Sequence, residues 1–294
     1  MQAADEKQRP LMSDAGLSAA VEAVAIDEYG EVRDGHVAAE RALTLYLDKK
    51  ELVTLMTLGT RPEMLVLGWL RNQRLVERID QIKAIQVDWE TDSVAVTTHR
   101  GVEGLEEKMA RKTVTTGCGQ GTVFGDLMDD LERIELPRRG IRQSEIYALL
   151  QTLNEHNQVY QRAGAVHGCA LCSEGEIHTF IEDVGRHNAV DAIAGQMWLE
   201  GMDGGDKIFY TTGRLTSEMV IKVAQMGVPI LLSRSGITQT GLELAKKVGV
   251  TLIARAKGRH FLVYNGAEQV SFDAVPKPHP QGSGSRHVSR IKGR

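Results

Sequence analysis

Residues 207–255 read KIFYTTGRLTSEMVIKVAQMGVPILLSRSGITQTGLELAKKVGVTLIAR. Three short apolar runs, KIFYTTG, VPILLS and VTLIAR, alternate with two segments of helical period. In the first segment Met219, Val220, Val223 and Met226 fall on one face and Gly227 supplies a stop. Strands alternating with helices of this length imply right-handed βαβ crossovers and a largely parallel sheet. Runs that are apolar throughout suit a sheet covered on both faces. Upstream, EIHTFIED and HNAVDAIAGQMWLEG extend the pattern by one strand and one helix, after a helical stretch SEIYALLQTLNEHNQVYQRAG.

In open α/β sheets ligands bind beyond the carboxyl ends of the strands. Glu182-Asp183-Val184-Gly185-Arg186-His187 follows the first predicted strand, and Thr211-Thr212-Gly213-Arg214 the second. Ser233-Arg234-Ser235-Gly236 follows the third, and the fourth runs out through Arg255-Ala256-Lys257-Gly258-Arg259. Each end carries an arginine and a glycine. If the strands share one sheet, the guanidiniums share one rim. Such a concentration of charge is costly unless an anion compensates it or each arginine pairs with a local carboxylate such as Glu182, Asp183 or Glu218. Arginine forks suit phosphate oxygens, and helix N-termini add N–H donors. The common nucleotide signatures, GxxxxGK[ST] and GxGxxG after a strand, are absent.

The N-terminal half has a different texture. RALTLYLDKKELVTLMTL reads as two strands around the Asp48-Lys49-Lys50 turn. Pro62 opens a helix with Met64, Leu65, Leu67, Gly68 and Leu70 on its apolar face. IKAIQVDWE and SVAVTTH form a second strand pair. The predicted organisation is a disordered N-terminus over 1–20, a small α+β domain over 21–111, an α/β domain over 112–274 and a disordered basic tail over 275–294.

The chain has 294 residues and a net charge of -4, so its overall charge points to no nucleic acid or membrane surface. No stretch approaches the apolar length of a membrane span, and the N-terminus lacks the apolar core of a secretory signal. A cytoplasmic location is expected, where thiols stay reduced.

Three cysteines in such a chain direct attention to reactivity or metal binding. Cys118 lies in TTGCGQG, whose glycines leave the sulfur accessible. A thiolate near an arginine-rich rim is stabilised, and the thiolate is the nucleophile. Cys169 and Cys172 form a C-x-x-C. It reads as a redox or relay pair, as part of a zinc site with Cys118 and His167, or as two small buried residues entering a strand.

TTGCGQG, AGAVHGCAL, EDVGRHNAVD, GRLTSEMV, LLSRSGIT and the basic strand end ARAKGR together resemble the FdhD/NarQ family of formate dehydrogenase accessory sulfurtransferases. The resemblance covers about residues 20–270. It implies an α/β fold with a cytidine-deaminase-like core, in which a largely parallel sheet is flanked by helices, and a cytoplasmic, homodimeric sulfurtransferase. It implies that sulfur comes from a cysteine desulfurase as a persulfide. The acceptor is a molybdenum bis(molybdopterin guanine dinucleotide) cofactor, bound as substrate and destined for formate dehydrogenase. Cys118 matches the persulfide-carrying cysteine. Ala254, Arg255, Ala256, Lys257, Gly258 and Arg259 match the cofactor-binding segment, and Arg186, His187, Arg214 and Arg234 join them from the rim. His187 is a candidate proton shuttle. No resident metal, nucleic acid or membrane is expected. The deaminase zinc signature is missing.

Many family members carry a second cysteine three places after the first, and here that position is Gly121. Cys118 therefore acts alone, or Cys169 and Cys172 supply an accessory thiol. Two other functions use the same residues: a cofactor-binding chaperone without obligatory sulfur transfer, and a zinc-dependent hydrolase.

Overall fold

The computed structural model describes residues 9–110 and 134–276. Cys118 and Gly121 lie outside the described residues.

The N-terminal half builds a five-stranded sheet in the order β1-β6-β7-β4-β5. Its strands are β1 (Leu11–Met12), β4 (Arg41–Leu47), β5 (Lys50–Thr57), β6 (Ile82–Asp88) and β7 (Ser93–Thr98). The β4–β5 turn is made as predicted, with Asp48 and Lys49 both at positive φ, the twist a tight hairpin requires. A separate two-stranded hairpin pairs β2 (Ala20–Ile26) with β3 (Val32–Ala38). Helix α1 (Pro62–Asn72) starts at its proline and packs against β6; α2 (Leu105–Ala110) closes this half.

Residues 9–20 are not the loose arm expected. Leu11 and Met12 pair with Ala84 and Ile85. Glu63 Oε1 accepts from Ser13 Oγ at 2.7 Å and from the Ala15 N–H at 2.8 Å, and Trp89 donates to the Ala15 carbonyl. Polar anchors and one strand pairing hold the segment, and neither leaves an apolar pattern in the sequence.

The C-terminal half builds a six-stranded sheet in the order β10-β9-β11-β12-β13-β14. These are β9 (His167–Ser173), β10 (Glu176–Asp183), β11 (Ile208–Thr211), β12 (Ile230–Ser233), β13 (Thr251–Lys257) and β14 (His260–Asn265). Two short strands, β8 (Ile141–Arg142) and β15 (Val270–Ser271), pair apart from it. Helices α3 (Gln143–His156), α4 (Gln158–Ala163), α5 (Arg186–Glu200), α6 (Ser217–Gln225) and α7 (Gln239–Val248) complete the described strands and α-helices.

The predicted strand–helix alternation is present from β10 to β13. The sheet is mixed, however, not largely parallel. Only β11–β12 and β12–β13 are parallel pairs. β9 lies between β10 and β11 and runs against both, and β14 runs against β13. Both insertions come from two-residue hairpin turns, Glu174-Gly175 and Gly258-Arg259, with Glu174, Gly175 and Gly258 at positive φ. Such turns need so few residues that β9 and β14 merge with their neighbours in a reading by hydrophobic period.

The direction of β9 has a consequence for the rim. Because β10 and β11 each oppose β9, they run alongside β12 and β13 in one direction. Four carboxyl ends therefore reach the same edge, and β9 begins there at His167.

Period-two alternation sends the strands' side chains to two cores. Cys169, Leu171, Phe209, Leu231 and Leu252 face one core, which continues into α5, α6, α7, α1 and the first sheet. Ala170, Cys172, Tyr210, Leu232 and Ile253 face the other, capped by Ile146, Leu149, Leu150 and Leu153 of α3. The first of these cores crosses the expected boundary near residue 111. At its centre α1 and α5 touch backbone to backbone: a Cβ on Gly68 would stand 1.7 Å from the Asp191 carbonyl oxygen, and one on Gly195 1.9 Å from that of Met64. Among the described residues no helix is long and apolar enough to cross a membrane.

Candidate functional site

The strand exits at the rim are laced to one another. Ser233 Oγ donates to the Gly213 carbonyl at 2.7 Å, and the Gly213 N–H donates to Thr211 Oγ1 at 3.0 Å. Arg234 N–H reaches the Thr211 carbonyl, and Arg255 N–H the Ser235 carbonyl. Arg255 sits at φ 53 in a bulge of β13, which turns the strand end away from its regular pairing. These bonds fix where each arginine leaves the sheet.

Glu182 and Asp183 accept hydrogen bonds from groups other than the rim arginines. Glu182 accepts from the Val159 and Tyr160 N–H groups at the start of α4. Asp183 accepts from Thr57 Oγ1 at 2.6 Å, from the Leu58 and Gly185 N–H groups and from Asn188. Burial raises the pKa of both despite those bonds. Their work is to tie α4, and the end of β5, to the rim. Glu218 stands 3.2 Å from His187 Nε2. Arg214, Arg234 and Arg259 form no ion pair with another described residue, and Arg214 and Arg259 are exposed.

Two histidines respond to the resulting field. Burial holds the His167 pKa below its ordinary value, and the charges of Arg186 and Arg214 add to the effect. His187 is pushed down to about 2 by burial first, then by Lys222, Arg186, His167 and Arg214. The His187 imidazole is therefore neutral near pH 7. A protonated His187 shuttle has no support here, although the neutral ring remains a proton acceptor.

The rim opens into three hollows. The largest, about 1050 Å³, is lined by Arg234, Ala256, Lys257, Gly258 and Arg259 on the sheet side. Tyr147, Gln151, Asn154 and Glu155 of α3 form its other wall, and Tyr210 lies in its floor. Burial raises the Tyr210 pKa, partly offset by Arg234, to which it is hydrogen-bonded. A second hollow of about 330 Å³, with His167, Tyr160 and Thr212, shares Arg234 with the first. A third, about 370 Å³, lies between the two halves of the chain and contains His187, Glu218, Trp69, Asp191 and Lys222. Asp191 and Lys222 form a buried ion pair at 2.7 Å.

The residues singled out by sequence thus divide. Arg234, Ala256, Lys257, Gly258 and Arg259 meet in one cleft. His187 lies in another cavity. Arg186 is buried at the first turn of α5, where Gly213 leaves room for its side chain: a Cβ there would come within 2.8 Å of Arg186 Cδ. Arg214 and Arg255 lie on the rim but line none of these hollows. Ala254 is fully buried in the core on the far side of the sheet, so its side chain cannot contact a ligand in the cleft.

Cys169 and Cys172 are fully buried, and desolvation pushes both thiols up to about 12. Cys169 donates to Thr211 Oγ1 at 3.3 Å. The two sulfurs face different cores. They cannot form a disulfide with each other or bind one metal ion together, so the redox-pair and shared-zinc readings of the C-x-x-C fail on this geometry. Among the described residues no cluster of three potential ligands could hold a metal ion.

The α3 wall was missed in sequence. Tyr147, Gln151 and Glu155 recur at i, i+4 and i+8 on the helix face turned from its apolar stripe. Such a stripe is the ordinary solvated side of any surface helix, and only its position opposite Lys257 and Arg259 distinguishes it.

Comparison with known proteins bears directly on this rim. Residues 38–271 match the FdhD/NarQ family. The chain belongs to the FdhD/NarQ family. It is 29% identical over 264 residues to the sulfur carrier protein FdhD of Wolinella succinogenes, covering 87% of this chain and 92% of that relative. The sulfur carrier protein FdhD of Bacillus subtilis is 29% identical over 251 residues, 83% of this chain and 94% of its own. A crystal structure from Desulfotalea psychrophila, described as a formate dehydrogenase accessory protein, superposes with a TM-score of 0.71 at 29% identity, over 86% of this chain and all of that one. The FdhD/NarQ match includes the whole cleft and the TTGCGQG segment that contains Cys118.

Proposed function

We propose that this protein is a sulfur carrier that receives persulfide sulfur from a cysteine desulfurase and passes it to a molybdenum bis(molybdopterin guanine dinucleotide) cofactor. The cofactor is substrate, and its destination is formate dehydrogenase. The setting is cytoplasmic, the carrier a homodimer on a cytidine-deaminase-like core. The thiolate of Cys118 attacks the terminal sulfur of the donor's persulfide, and the donor cysteine leaves as thiolate. Cys118 then holds the sulfur as its own persulfide until delivery.

One observation carries this reading. Arg234, Lys257 and Arg259 converge on a single large cleft, and the two arginines have no carboxylate partner among the described residues. The cleft therefore suits an anion, and the pyrophosphates of a dinucleotide cofactor match it. The family relatives carry the name of sulfur carriers. Together these favour a carrier that also holds its acceptor. His187 stands apart from the cleft, so cofactor contacts are assigned to the arginines, Lys257 and the turn at Gly258, with Arg186 and Arg214 supplying field along the rim.

The test compares wild type with Cys118→Ala after treatment with a desulfurase and cysteine. Mass spectrometry should find one added sulfur on the wild type and none on the variant. Undiminished persulfide on the variant rejects Cys118 as carrier. Restoration of formate dehydrogenase activity by Cys118→Ala would instead establish the chaperone, which shares the cleft but needs no thiol.

A further inference from the structure

The β2–β3 hairpin stands apart from both large sheets and contributes to neither core. Ile26 opposes Val32, Val24 opposes Asp34 and Glu22 opposes His36, so these side chains share one face. On that face Val24, Ile26 and Val32 are 71%, 73% and 69% exposed. Val21 and Val37 oppose each other on the other face and are exposed as well. Clustered exposed apolar side chains of this kind mark a surface that another segment covers. β3 is the strand seated on the body of the protein. It packs against α4, where Arg162 donates to His36 Nε2 at 2.9 Å. Among the described residues β2 pairs with β3 alone, which leaves its outer edge open to a further strand.

The hairpin is also acidic. Residues 20–38 contain Glu22, Asp27, Glu28, Glu31 and Asp34 against one cation, Arg33. Arg33 is committed to Asp27 at 2.8 Å and to Glu31 at 2.9 Å. The side chains of Glu22, Glu28 and Asp34 make no hydrogen bond or ion pair with another described residue. Two copies of this hairpin laid face to face would oppose carboxylate to carboxylate, so the surface suits a basic segment that carries a few apolar residues.

The chain holds such a segment. Residues 277–294, outside the described residues, include Lys277, Arg286, Arg290, Lys292 and Arg294 and no acidic residue. Val288 and Ile291 lie among the last four cations. In an extended strand Arg286, Val288, Arg290, Lys292 and Arg294 share one face, and Ile291 falls on the other, uncharged one. The hairpin has the matching division. Glu22 and Asp34 accompany Val24, Ile26 and Val32, whereas Val21 and Val37 stand on the face without carboxylates.

The reach is sufficient. The Ala274 N–H donates to Gln143 Oε1 at 3.2 Å, and Asp273 accepts from Ser144, so the tail leaves from the first turn of α3. The 14 residues of α3 run about 21 Å from there to α4, beside the hairpin. Residues 277–286 span up to about 33 Å when extended.

We propose that residues 286–294 dock on the β2–β3 hairpin as a third strand along β2. Their cations meet Glu22 and Asp34, Val288 covers Val24 and Ile26, and Ile291 covers Val21. Each surface ion pair contributes little alone. Tethering sets the tail at an effective concentration in the millimolar range, so a weak contact suffices.

The test uses full-length protein at low ionic strength, where screening is least. One variant reverses the tail with Arg286→Glu, Arg290→Glu, Lys292→Glu and Arg294→Glu, and a second reverses the hairpin with Glu22→Lys and Asp34→Lys. A zero-length carbodiimide should couple Lys292 to Glu22 or Asp34 in the wild type. Backbone amides of residues 20–26 should exchange hydrogen at least about tenfold faster in either variant than in the wild type. Combining the two reversals should restore slow exchange, an outcome that simple damage to the hairpin would not give. Unchanged exchange in the tail variant overturns the proposal, as does the absence of the cross-link. Protection that survives tail reversal but disappears on dilution would assign the hairpin to a second copy of the chain, and this also overturns it.

Discussion

Cys169 and Cys172 sit three residues apart on β9 and point to opposite faces of the sheet, each into a separate core. In a strand successive side chains alternate, so an odd separation always divides a pair between faces. On a helix or loop the same spacing brings two sulfurs together, which is why a C-x-x-C in sequence suggests a redox pair. The prediction is that Cys169→Ala and Cys172→Ala proteins load persulfide to the wild-type level. Neither thiol should react with maleimide until the protein is unfolded. Loss of loading in either variant, with folding intact by circular dichroism, would contradict this placement.

Gly68 and Gly195 allow α1 and α5 to meet at backbone distance. A methyl group at either position must push two helices apart, and this contact joins the two halves of the molecule. Gly68→Ala or Gly195→Ala should destabilise the protein by at least about 3 kcal/mol in a urea titration, at the upper end of overpacking costs. Gly236→Ala, where an added Cβ meets nothing within 4 Å, is the control and should change stability by less than about 1 kcal/mol.

Lys222 donates to both oxygens of Asp191, and Asn72 donates to one of them at 2.6 Å. Removing the cation leaves a buried carboxylate without its counter-charge. Lys222→Met should cost about 3–5 kcal/mol, whereas the double variant Lys222→Met with Asp191→Leu should recover much of that loss. Double-mutant analysis of denaturant midpoints measures the coupling.

His187 makes stability depend on pH. Its folded pKa is about 2, against an ordinary 6.5. Between these values the unfolded chain binds the proton and the folded chain does not. This contribution is complete above pH 6.5 and is lost progressively as pH falls toward 2. The loss is about 1.4 kcal/mol for each pH unit well below 6.5. The raised pKa values of Glu182 and Asp183 act in the opposite sense, so the comparison must be with a His187→Gln variant. Unfolding free energies at pH 7.5 and pH 5.5 should fall more steeply in wild type than in that variant.

The local signals in the chain were reliable where structure is local. Pro62 placed the start of α1, Asp48-Lys49 placed a hairpin, and Gly227 followed the end of α6. The strand runs from Glu176 to Lys257 were legible because each is a short apolar segment between clear helices. β9 was not read as a strand: its hairpin turn is two residues long and its small residues carry little pattern. The anchoring of residues 9–20 was invisible for a related reason, since it depends on Glu63 and Trp89, far along the chain.

The sequence by itself determined that arginines follow four strands, because strand ends and residue types are properties of the chain. It also determined the FdhD/NarQ motifs around Cys118 and the rim. Only the tertiary structure decided which of those arginines share a cleft. β9 entered the sheet antiparallel, which kept β10 in line with β11 to β13 and sent all four ends to one edge. It separated Cys169 from Cys172, sent His187 to a different cavity, and set α3 opposite Lys257 and Arg259. Those outcomes depend on strand order and on packing between segments far apart in the chain, and no periodicity within a segment encodes them.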